Sequence, residues 1–139
     1  MPDAQVAVVI CHHRNRDLLL RCLASVKLSQ GVTVDTIVVT SDATCQEWIP
    51  AWVTLYYEEG GPAHKRNVGT ARSTAPYIVY LDDDVEISPY CLYEFKVWME
   101  EHPTCGMAFG KIYKMAEGRR QELDDCGSWL TRSGFLFAR

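Results

Sequence analysis

"PYIVYLDDDVEISP", residues 76–89, decides how this chain is read. Five mostly apolar residues, Tyr77 to Leu81, run straight into Asp82, Asp83 and Asp84, and Ser88 with Pro89 then opens a helix. A short apolar run bounded by breakers reads as a strand, buried on both faces as in a parallel sheet. Three adjacent carboxylates do not belong in a core, so the strand is expected to leave the sheet at Asp82, where a ligand would arrive. Residues two apart in extended chain face the same way. Asp82 and Asp84 are therefore expected to converge, while Asp83 points elsewhere or bonds to backbone. Two such carboxylates form a hard-oxygen site for Mg²⁺ or Mn²⁺, ions that complete their shells with water and phosphate. The plainer alternative is a turn capped by three aspartates.

On either side of this stretch, strand and helix patterns alternate. "QVAVVIC" (5–11) is a β-branched apolar run, and "RDLLLRCLASVKLSQ" (16–30) places Leu19, Leu23 and Val26 on one helical face behind an Asn15 cap, with Gly31 as its stop. "DTIVVT" (35–40) and "VTLYY" (53–57) are further strands, separated by a short helix or turn that Pro50 breaks. Gly60 and Gly61 form a turn, Pro62 suits a first helical position, and Pro76 closes the helix it starts. The small Ala63, Ala71 and Ala75 would let that helix lie close to a sheet. Leu92, Phe95 and Met99 point inward from the helix after Pro89, "CGMAFGKIY" (105–113) reads as a strand, and "GFLFAR" as another at the chain's end. Alternation of this kind implies an α/β fold, a mostly parallel sheet flanked by helices with right-handed crossovers, whose ligands sit at the carboxyl ends of the strands.

Composition narrows the function classes. The 139 residues suffice for one domain with a real core, and a net charge of −4 without clustered Lys or Arg excludes a nucleic-acid coat or polybasic membrane patch. No apolar run approaches the ~20 residues of a membrane span, and the N-terminus lacks the marks of a secretory signal. The six cysteines show no CxxC spacing, so reduced thiols in a cytoplasmic protein are expected rather than zinc or disulfides. Other phosphate-handling readings fail: "GMAFGKI" (106–112) is one residue short of a P-loop and carries Ile112 where Ser or Thr is required. "CHHRNR" replaces the acidic pair of a receiver domain, and no glycine lies between Met1 and Gln30 for a nucleotidyltransferase loop.

The ensemble "VAVVICHHRNRDLLLRCLASV", "TIVVTSDAT" and "EEGGPAHKRNVGTARSTAPYIVYLDDDVEISPYCL" resembles the start of a family 2 glycosyltransferase with the Rossmann-like GT-A fold, over roughly residues 5 to 100. The glycine–ARN-like segment followed by a strand ending in DxD is specific in combination. The resemblance implies that Asp82 and Asp84 bind a divalent cation, Mn²⁺ or Mg²⁺, with Asp82 and Asp83 beside the ribose and diphosphate of a nucleotide sugar. It implies nucleotide contacts for Arg66 and Asn67, and Arg66 suits a bidentate phosphate contact. Lys65 reads as a solvated helix residue, and the role of His64 stays open. The first strand departs from the family pattern with Cys11, His12, His13 and Arg14. His12 and Arg14 are candidate nucleotide contacts, and at least one of the two histidines is expected to be structural. Asp42 is the candidate base contact, shifted by one position.

The family's catalytic domain is longer than this chain. Residues 1–139 are therefore expected to be a donor-binding half, a truncated GT-A domain, with the acceptor half and its carboxylate base outside it. Asp124 and Asp125 read as a turn or loop. The implied reaction is inverting, metal-dependent sugar transfer from a nucleotide-diphosphate sugar to a saccharide or glycolipid hydroxyl in polysaccharide or glycoconjugate synthesis, at most peripherally attached to the inner face of a membrane. A homo-oligomer through exposed apolar sheet is a further expectation. The rival reading is a non-catalytic binding module that meets a partner through Trp48, Trp52, Trp98 and Trp129.

Overall fold

The computed structural model describes residues 3–116, 119–125, 128–130 and 136–138. It has two compact units, Met1–Glu101 and His102–Arg139. In the first, β1 (Val6–His12), β2 (Val34–Thr40), β3 (Thr54–Tyr57) and β4 (Tyr77–Asp82) form one sheet in the order β3-β2-β1-β4. All three pairings are parallel. Helix α1 (Arg16–Lys27) links β1 to β2, a 3₁₀ turn (Ala43–Glu47) links β2 to β3, α2 (Pro62–Ala71) links β3 to β4, and α3 (Cys91–Glu101) follows.

The chain first steps outward from β1 through β2 to β3, then crosses back to β4 on the other side of β1. Right-handed crossovers in opposite directions put α1 and α2 on opposite faces, and the two core clusters show it. Val6, Val8 and Ile10 pack with Leu19, Leu23, Val26 and Leu92. Val9, Ile37 and Val39 pack with Val68 of α2 and with Tyr56 and Ile78. Alternate residues of β1 thus feed two cores, which is why its sequence is apolar without a break. The carboxyl ends of β1 and β4, where the strand order reverses, form a topological switch point.

Local signals act as expected at α1: the Asn15 side chain accepts from the Leu18 N–H at 3.1 Å. The helix stops at Lys27, short of residue 30, because Leu28 caps it and the Gln30 N–H turns to the Pro89 carbonyl. Three other expectations need correction. Strand β4 is only half-buried, with Tyr80 49% exposed, because it is the outer strand of this sheet rather than a central one. The close approach of α2 to the sheet comes through Gly69, which is buried against Val9 and Val39, whereas Ala63 and Ala71 are exposed. Residues 105–111 are irregular, and strand β5 begins only at Ile112.

In the second unit, β5 (Ile112–Ala116) pairs antiparallel with β6 (Arg119–Asp125). Asp124 and Asp125 lie in that strand rather than in a turn, and Lys114 Nζ sits 3.4 Å from Asp124 Oδ1. Strands β7 (Ser128–Leu130) and β8 (Leu136–Ala138) form another antiparallel pair. The expected strand at 134–139 is described only over Leu136–Ala138, its remaining residues lying outside the described ones.

Candidate active site

Parallel register brings the ends of β1, β2 and β4 together: Cys11 lies opposite Asp82, and His12 opposite Thr40. Because side chains alternate, Cys11, Ser41 and Asp82 fall on the α2 side of the sheet, and His12 falls on the other. Helix α2 lays two cations over these ends. Arg66 Nη2 donates to Asp82 Oδ1 at 2.8 Å. Lys65 Nζ donates to the His12 carbonyl at 2.9 Å and to Ser41 Oγ at 3.0 Å. Lys65 is 4% exposed, so the expectation of a solvated lysine is overturned. Its face was legible from the helical period, since Lys65 and Gly69 stand four residues apart and share the side of α2 that meets the sheet. The start of α2 has Gly61 as N-cap without a side-chain cap, which leaves backbone N–H groups directed out of the helix end.

On the opposite side, His12 is 1% exposed, and its Nδ1 lies 2.8 Å from Asp83 Oδ2. The ring meets Trp48 edge-on, with centroids 5.8 Å apart, and Arg16 stacks over the same indole at 5.3 Å. Asp83 is half-buried by this contact, whereas Asp82 and Asp84 are exposed. The alternation argument for Asp82 and Asp84 needs extended chain, yet the strand closes at Asp82, and the Val85 N–H returns to the Asp82 carbonyl at 3.2 Å. Asp83 and Asp84 therefore occupy a turn, and Asp83 bonds to a side chain instead of to backbone. Among the described residues, no group of three or more His, Cys, Asp or Glu side chains is arranged to hold a metal ion.

The remaining candidates are spread around these ends. Asp42 caps the 3₁₀ turn, its Oδ1 accepting from the Thr44 N–H at 2.9 Å and the Thr44 hydroxyl at 2.7 Å. These hydrogen bonds, chiefly that of the Thr44 hydroxyl, hold its carboxyl below the usual range. Arg14 and Asn67 are exposed, and His13 is exposed with Nδ1 3.4 Å from Ser41 Oγ. His64, left open by the sequence, sits 3.1 Å from Glu58. Burial pushes the Cys11 thiol up, against the opposing pull of Arg66 and Lys65.

A family model described as glycosyl transferase family 2 matches residues 7–136. This chain belongs to glycosyl transferase family 2. Solved structures similar to this family 2 chain carry the same fold. TarS of S. aureus, residues 1–349, in complex with UDP-GlcNAc superposes with TM-score 0.60 at 20% identity, over 71% of this chain and 32% of that one. The mannosyltransferase PcManGT of Pyrobaculum calidifontis, in complex with GDP-Man and Mn²⁺, gives TM-score 0.60 at 18% identity, over 70% and 32%. This family 2 chain thus spans about a third of the length of those structures. No curated protein sequence matches it. The α/β GT-A architecture expected from the sequence is the one found, and no helix among the described residues is long and apolar enough to cross a membrane.

Proposed function

We propose that this chain binds a nucleotide-diphosphate sugar at the carboxyl ends of β1, β2 and β4 and serves inverting transfer of the sugar to a saccharide or glycolipid hydroxyl. The observation that carries the reading is the gathering of Asp82, Arg66 and Lys65 at the switch point, beside the uncapped start of α2. A carboxylate, two cations and unused backbone N–H groups together suit a ligand that is both phosphorylated and metal-bound. The donors and cation held by the similar structures, UDP-GlcNAc in one and GDP-Man with Mn²⁺ in the other, support the same reading.

Asp82 and Asp84 are the proposed holders of a divalent cation, Mn²⁺ or Mg²⁺. The donor set fits, because two exposed carboxylates on one turn leave the rest of a shell to water and phosphate. Such a cation, when bound, stabilises the charge on a departing nucleoside diphosphate. Arg66 holds Asp82 in place and offers its guanidinium to the phosphates. Arg14 and Asn67 contact the nucleotide from the surface, and Asp42 reads the base while capping the 3₁₀ turn. His12 and Asp83 act from beneath: the buried ring ties the end of β1 to the turn after β4, so both are proposed as supports of the nucleotide site. The acceptor half and the carboxylate base that deprotonates the attacking hydroxyl are proposed to lie outside residues 1–139, and a cytoplasmic role in polysaccharide or glycoconjugate synthesis is part of the same proposal.

Calorimetric titration of UDP, GDP and dTDP into the 139-residue chain, with Mn²⁺ and then with EDTA, tests this reading. One nucleotide is expected to bind, and its binding to vanish with EDTA or in Asp84→Ala. Binding indifferent to both changes, or no binding of any nucleotide, refutes it.

A further inference from the structure

Lys65 is the residue of this site with the least conventional surroundings. A lysine is seldom fully buried without a charged partner, because an ammonium removed from water needs compensation. At 4% exposure Lys65 has two acceptors, the His12 carbonyl and the Ser41 hydroxyl, and both are neutral. Among the described residues it forms no ion pair, and the acids around it are engaged elsewhere: Asp82 with Arg66, Asp83 with His12, and Asp42 with Thr44. An ammonium carries three N–H donors, and two are used by these partners. The start of α2 adds partial positive charge of the same sign, with no carboxylate cap to offset it. Lys65 is thus a buried cation with no carboxylate partner among the described residues, beside an Arg66 that is already paired with Asp82.

We infer that Lys65 is the fixed counter-charge for the donor's diphosphate, a determinant that makes the site prefer nucleoside diphosphates over the nucleoside alone. The inference rests on the donor-site reading and adds to it the group that reads the phosphate charge from the ends of β1 and β2, while Arg66 of the same helix pairs with Asp82 at the end of β4. A preformed cation of this kind is pre-organised: it strengthens as negative charge develops on the leaving diphosphate and needs no rearrangement to do so. The competing explanation is mechanical, with Lys65 serving only to pin Ser41 to the end of β1.

The two are separated by comparing a nucleoside with its diphosphate. The nucleotide selected from UDP, GDP and dTDP, and its parent nucleoside, are titrated at fixed Mn²⁺ into wild type, Lys65→Met and Lys65→Arg, followed by NMR shifts so that weak binding is measured. Lys65→Met is expected to lower diphosphate affinity by about tenfold to a hundredfold, the range for a lost hydrogen bond to a charged group. Nucleoside affinity should stay within about twofold, and Lys65→Arg should recover most of the diphosphate preference. An equal fall for both ligands, or no fall for the diphosphate, overturns the inference in favour of the mechanical role. If Lys65→Met does not fold, Lys65→Gln, which keeps hydrogen-bonding groups and drops the charge, carries the same comparison. Failure of wild type to bind any nucleotide is a different outcome: it defeats the donor-site reading itself, and the inference with it.

Discussion

Replacing Gly69 by alanine should loosen the whole switch point, although residue 69 touches none of the proposed ligand groups. A Cβ at this position would stand 3.2 Å from Val9 Cγ2 and 3.4 Å from Val39 Cγ2, and closer still to Val9 Cγ1. Carbon atoms prefer ~3.5–4.0 Å, so the helix or the valines must move. Val9 and Val39 are fully buried on adjacent strands, and a β-branched side chain has little rotamer freedom with which to yield. Overpacking of this kind costs about 1–3 kcal/mol, against which alanine returns about 1 kcal/mol of helix propensity. The net expectation is a loss of about 1 kcal/mol, or a fall in Tm of about 4–8 °C for a unit of this size. Urea and thermal unfolding of Gly69→Ala measure it, and Val9→Ala placed on top should restore part of the loss, giving a favourable coupling between the two sites. Outward movement of α2 would also lengthen the Lys65–Ser41 bond, so nucleotide affinity should fall with stability. A Gly69→Ala protein as stable as wild type or more so, with no coupling to Val9, would refute the argument that α2 sits on the sheet through this glycine.

Asp42 should govern part of the acid limb of stability. Its folded pKa is depressed by the Thr44 hydrogen bonds, so its contribution is present above the unfolded value of ~3.9 and is lost as pH falls through the lower folded value. Urea midpoints measured from pH 2 to 6 should therefore show the deficit of Asp42→Ala shrinking below about pH 4. The thiols should separate by reactivity: burial pushes Cys22 up to about 12 and Cys45 up to about 11, so both should resist a thiol reagent at pH 8 until the chain is denatured. Rapid native labelling of Cys22 or Cys45, read by mass spectrometry, would contradict their place in the core.

Much of this fold was legible because its signals are local or periodic. The unbroken apolar runs of β1 and β2, the Asn15 cap and Pro62 at the start of α2 each act within a few residues, and the order of strands and helices leaves few topologies open. Strand β4 misled because an apolar composition does not say whether a strand is central or outermost in its sheet. Asp84 misled because alternation was carried past the point where the chain turns. The pairing of His12 with Asp83 joins residues 71 apart in sequence, and no local pattern announces it. Lys65 was hidden by its chemistry: charge argues for solvent, and only its shared face with Gly69 argues otherwise.

The crossing-back of the chain from β3 to β4 also bears on cooperativity. Three of the bonds that shape the site span long loops: Lys65 to His12 across 53 residues, Lys65 to Ser41 across 24, and Asp83 to His12 across 71. No fragment that opens locally can keep the site and release the rest, so a ligand seated there acts as a staple on the unit as a whole. At a hundred times its Kd it would add about 2.7 kcal/mol, a large share of the roughly 5–15 kcal/mol that holds a typical domain together. Amide protons in the interior of β1, β2 and β4 should slow together on binding, as one exchanging body rather than as a patch beside the ligand.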